Sequence, residues 1–139
     1  VVIVINSGAV IDCEYFAEND DVQAVLFGWQ GGMEGGMAVA DIICGDVNPS
    51  GKLADTIAKS YDCYPCKDDF WECFDHVDYS DDIFVGYRYF ETMAKESVRY
   101  PFGFGLSYTD YEYSDLTLAS EEIAADGSLK VSVKVTLPV

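Results

Sequence analysis

The sequence predicts an α/β fold, a partial parallel-sheet sandwich followed by the first strands of an all-β sandwich. Two observations carry this. The unbroken run Val1-Val2-Ile3-Val4-Ile5 and a second apolar run from Val22 to Phe27 are each followed by a loop and a helical pattern. That is the order of parallel strands layered with helices. The final third instead alternates apolar and polar residues, from Tyr108 onward and again through Leu129, Val131, Val133, Val135 and Leu137, as antiparallel strands do.

Taken in order, Val1 to Ile5 reads as a strand buried on both faces, ended by Asn6-Ser7-Gly8. Asp12 to Glu18 reads as a short helix closed by Asn19-Asp20-Asp21, and Val22 to Phe27 as the second strand. A glycine-dense loop, Gly28-Trp29-Gln30-Gly31-Gly32-Met33-Glu34-Gly35-Gly36, leads into a helix from Met37 to Cys44, where Met37, Ala40, Ile43 and Cys44 recur at helical spacing and Gly45 stands at the C-cap. The turn Asp46-Val47-Asn48-Pro49-Ser50-Gly51-Lys52 precedes a strand from Leu53 to Ala58. Residues 60–82 form an acidic insertion without a period, and Ile83 to Phe90 returns to strand character. An all-β domain starts near residue 107, with Ala125-Asp126-Gly127-Ser128 turning between its strands. The expected domains are therefore 1–106 and 107–139. The first strand opens without a preceding turn and the last stops without a partner, so both termini are expected to be cuts within a larger protein.

The 139 residues carry 25 acids against 8 Lys and Arg, a net charge of −17 and a pI near 4.1. Nucleic acid and anionic membrane surfaces both need a basic footprint, so neither is an expected partner. Five acids fall in 12–21, eight in 62–82 and six in 110–126, with Lys67 the one base among them, which places the charge on solvated connecting segments. A hydrophobic share of 50% is enough for an ordinary core. No apolar run approaches the roughly 20 residues of a membrane span, and no basic leader precedes the first strand. Five cysteines, an odd number, favour a reducing, cytoplasmic compartment. Asn48-Pro49-Ser50 is disqualified as a glycosylation acceptor by its proline.

Two clusters carry candidate chemistry. The glycine loop lies between a strand and a helix, as phosphate-binding loops do, but it holds neither a GxGxxG spacing nor a Lys or Arg. Its glycines serve close packing, and Glu34 serves as a cap favoured by the helix dipole. The sharper reading has Trp29 and Glu34 lining a cleft for a neutral ligand, with the indole as a stacking platform for a sugar face. In the acidic insertion, Cys63, Cys66, Cys73 and His76 form a CxxC and a CxxH at spacings a zinc ion can use. Against this stand free surface thiols among solvated acids (Asp68, Asp69, Glu72, Asp75). No cofactor other than that zinc is called for. A serine-nucleophile triad has no support: there is no GxSxG elbow, and His76 is the one imidazole that could serve as its base. Among so many acids no carboxylate pair can be singled out.

INSG after the first strand, VQAVLFGWQGGMEGG, ADIICGDVNPSGKL, DIFVGYRYFE and YPFGFGLSYTDYEYSDL stand in an order that resembles the carboxy-side half of glycoside hydrolase family 3, the β-glucosidase type. The resemblance spans about residues 1–137. It implies the later part of that family's α/β-sandwich domain, then the start of its fibronectin type III-like domain. It further implies retaining hydrolysis of β-linked, neutral saccharides by two carboxylates. The family's nucleophilic Asp belongs to a separate barrel domain and its acid/base Glu lies upstream of the first strand here, so no catalytic residue is carried onto this sequence. Trp29 and Glu34, in the stretch WQGGMEGG, match the family's Trp- and EGG-bearing glycine region as site-shaping residues, and a zinc site would be particular to this protein.

Overall fold

The computed structural model describes residues 1–69 and 73–137, and it divides into two compact units, Val1–Leu106 and Ser107–Val139. The chain is α/β. In the first unit, β1 (Val2–Ile5) and β2 (Ala24–Phe27) pair in parallel, from Val2 opposite Ala24 to Ile5 opposite Phe27. Parallel neighbours need a crossover of a dozen or so residues. Here it contains one helical turn, α1 (Glu14–Ala17), started by Asp12 Oδ1 accepting from the Glu14 N–H at 2.9 Å and buried through Phe16. Asn19 Oδ1 then accepts from the Asp21 N–H, and the chain turns into β2.

α2 (Gly35–Cys44) begins two residues before the Met37 that periodicity suggests. It ends as expected at Gly45, which adopts a left-handed φ of 85°. The Asp46 N–H reaches back to Asp41 O and the Gly45 N–H to Ile42 O, which satisfies two of the last carbonyls.

Three expectations need correction. β1 is not buried on both faces: Ile5 is buried and Ile3 half-buried against the larger core cluster, while Val2 and Val4, which alternate to the other face, remain 48% and 41% exposed. Of the expected Leu53–Ala58 strand, only Ile57–Ala58 is a strand among the described residues, β3, antiparallel to β4 (Val98–Tyr100). Ile83 to Phe90 is not a strand. Gly86, at φ 58°, turns the chain into α3 (Tyr87–Met93), whose Phe90 is buried together with Ala94 one turn on.

Among the described residues, two buried clusters hold this unit. The larger joins Ile5, Cys13, Phe16, Leu53 and Ile57, with Phe27, Trp29 and Tyr100 packed against it. The smaller joins Ala58, Phe90 and Ala94, with Cys63, Tyr64 and Val98 around it. Tyr64 locks the second: its hydroxyl donates to Thr56 O at 3.3 Å and accepts from the Ala58 N–H, and its ring meets Phe90 edge-on at 5.4 Å. Arg99 ties β4 to α1 through Glu18 at 3.2 Å.

The second unit is a hairpin, β5 (Glu112–Leu118) against β6 (Val131–Thr136), antiparallel as the alternation predicts. Its register shifts between Ser114 and Thr117, where Asp115 takes a φ of 55°. An extra residue with left-handed backbone at that point accentuates the local twist.

Candidate functional site

Parallel pairing puts the carboxyl ends of β1 and β2 at one edge, so Asn6 to Gly8 and Gly28 to Gly36 meet there. This is where open α/β sheets hold their ligands. A cleft of about 360 Å³ opens at that edge. Its apolar side is Val4 and Val39, its floor is glycine backbone, and Asn6, Trp29 and Gln30 supply the larger side chains. Among the described residues no charged side chain lines it.

The loop geometry has local causes. The Gly28 N–H donates to Ile5 O at 2.9 Å, continuing the β1–β2 pairing by one step. Trp29 then takes a φ of 49°, a left-handed conformation that a bulky residue adopts at a cost of about 1–3 kcal/mol. Packing offsets that cost: the indole lies 5.8 Å from the Phe27 ring at a 40° tilt, against the larger core cluster. The backbone then doubles back so tightly that a Cβ on Gly31 would stand 2.7 Å from Gly35 Cα. Part of the glycine density is therefore packing, as the sequence suggests.

The two cleft residues named from sequence are placed differently. Trp29 lines the cleft; Glu34 does not, standing exposed at the N-cap of α2 without a side-chain capping hydrogen bond. Asn6 and Gln30 were not singled out by sequence reasoning. Their only signal is position, Asn6 directly after β1 and Gln30 in the loop after β2.

The zinc set is not gathered. Among the described residues no group of three or more His, Cys, Asp or Glu stands close enough to hold a metal ion. The physical reason is that the cysteines and His76 sit in different surroundings. Cys63 sits in a tight 3₁₀ turn, Tyr61–Cys63, and packs against the Phe90 cluster. Its Sγ lies 3.6 Å from the Ser60 hydroxyl, whose hydrogen bond holds the thiol below its usual range. Cys66 is raised by burial and by the Asp81 carboxylate. Cys73 and His76 instead line a separate depression of about 220 Å³ with Asp69 and Asp78. Glu72, named among the neighbouring acids, lies outside the described residues. All five cysteines are free thiols, and Cys13 is fully buried. No helix among the described residues is long and apolar enough to cross a membrane.

Residues 1–108 match the family model for the glycosyl hydrolase family 3 C-terminal domain. The chain belongs to glycosyl hydrolase family 3. Beta-glucosidase A of Butyrivibrio fibrisolvens is 54% identical over 117 residues, which cover 83% of this chain and 14% of that protein. Among solved family 3 structures, a β-glucosidase from Paenibacillus barengoltzii superposes with a TM-score of 0.86 at 43% identity, covering 98% of this chain and 15% of that one. β-Glucosidase 3B of Thermotoga neapolitana, solved in complex with glucose, gives a TM-score of 0.83 at 36% identity, covering 98% of this chain and 18% of that one. This chain thus spans about a seventh of the length of the family 3 relative first named.

Proposed function

We propose that this chain is the cleft-wall part of a retaining, β-glucosidase-type glycoside hydrolase that acts on O-glycosyl bonds of neutral β-linked saccharides. Residues 1–106 are the carboxy-side portion of its α/β-sandwich domain and 107–139 the start of its fibronectin type III-like domain. The observation that carries the reading is the uncharged cleft at the carboxyl ends of β1 and β2, with Trp29 on its wall. A neutral sugar offers hydroxyls and an apolar ring face, and an indole beside amides and bare backbone complements both. Retaining hydrolysis needs two carboxyl groups about 5–5.5 Å apart on either side of the scissile bond. The described cleft lining supplies none; the family resemblance implies one from a barrel domain and one from upstream sequence, and on this reading the chain contributes binding and shape.

An aryl β-glucoside assay tests this. The chain alone gives no turnover above buffer, whereas the polypeptide that also carries the barrel hydrolyses the glucoside with retention at the anomeric carbon. Turnover by the chain alone would place the catalytic pair within these residues and overturn the division of labour.

A further inference from the structure

We propose that Asn6 and Gln30 form a paired carboxamide clamp that selects an uncharged, polyhydroxylated ligand, each amide donating to one ring hydroxyl and accepting from another. The inference rests on the cleft reading above and deepens it by naming the groups that recognise the ligand. Asn6 follows the last residue of β1 and Gln30 lies three residues beyond β2, and both line the cleft that Trp29 borders. Among the described residues neither carboxamide has a hydrogen-bond partner, so both keep their donors and acceptors for a ligand. Gln30 is also held in place. A Cβ on Gly8 would stand 2.8 Å from Gln30 Nε2 and 3.0 Å from its Cδ, so the amide rests directly on the backbone of the loop after β1. The contact joins the two carboxyl-end loops and limits the rotamers Gln30 loses on binding. Without a charged group in the lining, an anionic sugar would enter with its charge unpaired.

The test is a titration of the isotope-labelled full chain with glucose, followed by the Trp29 indole N–H and the two side-chain amide signals in NMR spectra. The three are expected to shift along one saturation curve, and glucuronate is expected to shift them far less at equal concentration. Asn6→Ala and Gln30→Ala should each weaken binding about three- to tenfold, the share of one net hydrogen bond. Gly8→Ala, which displaces Gln30 without deleting it, should do the same. If the Trp29 signal moves while both amide signals stay fixed in the unmodified chain, the clamp is wrong and the cleft stands. If glucuronate shifts the amides as strongly as glucose, the selectivity for uncharged ligands falls. If glucose moves none of the three signals, the clamp and the cleft fall together.

Discussion

Leu53 and Phe104 are joined through their backbones: the Leu53 N–H donates to Phe104 O at 2.8 Å, and Leu53 O accepts from the Gly103 N–H at the same distance. Beside them the Lys52 ammonium donates to Gly105 O. The two most recognisable stretches of the sequence, NPSGKL and PFGFG, thus form a clasp away from the cleft, and Leu53 anchors it in the larger core cluster. Leu53→Ala is expected to cost about 2–5 kcal/mol of stability, read from urea unfolding, while leaving the cleft residues' NMR signals in place. A loss under about 1 kcal/mol would mean that the site collapses around the missing side chain.

Gly31 and Gly36 should respond oppositely to alanine. Gly31→Ala forces its Cβ against Gly35 Cα, so the start of α2 must shift, at about 1–3 kcal/mol. Gly36 lies within α2 with open space where a Cβ would project, and Gly36→Ala should raise stability by about 0.5–1 kcal/mol. Thermal unfolding of the two variants beside the parent chain measures both signs.

Burial is uneven along α3. Phe90 is 1% exposed, whereas Met93, three residues on and next to the C-cap, is 57% exposed. Phe90→Ala should cost about 3–5 kcal/mol and Met93→Ala under about 0.5 kcal/mol. Comparable losses at the two positions in denaturant unfolding would contradict this packing.

Thiol reactivity should follow the local chemistry. Hydrogen bonding from Ser60 lowers the Cys63 pKa, so Cys63 carries more thiolate at a given pH and should alkylate from a lower pH than Cys66, which burial and Asp81 hold up. Ser60→Ala should move the onset for Cys63 upward. Peptide mapping after iodoacetamide treatment across pH gives the order, and a Cys66 onset below that of Cys63 would refute it.

Cys13 links to stability. Burial raises its folded pKa above the unfolded value. Below the unfolded pKa, about 8.5, both states are protonated and the contribution is complete; as pH rises through the folded pKa it is lost. Stability should therefore decline more steeply above about pH 8.5 in the parent chain than in Cys13→Ala, as compared by urea midpoints.

β1, β2 and α2 were legible because an apolar run, a helical period and a C-cap glycine each state one local preference that the fold keeps. α3 was not, because Val85, Tyr87 and Tyr89 alternate like a strand over a window too short to exclude it, and Gly86 supplies the reversal that starts a helix. β4 has three residues, fewer than any pattern can mark. Trp29 could be placed from the strand–loop–helix order. Asn6 and Gln30 look like ordinary turn residues until the parallel register brings the loops that carry them to one edge, where both line the cleft. The spacing of Cys63, Cys66, Cys73 and His76 fixed their separation along the chain, while core packing decided where Cys63 sits.

The Leu53 clasp also sets a timetable. Lys52 and its acceptor are 53 positions apart, so when residues 51–53 are made their partners do not yet exist. At about 5–20 residues per second, several seconds of synthesis pass before residues 103–105 arrive. Until then Leu53 and Ile57 have no cover from the strand of Val98–Tyr100, and the larger core cluster stays open on that side. The first unit is therefore completed by its own last-made segment, and this nascent chain carries exposed core apolar surface until residue 106 is clear of the ribosome.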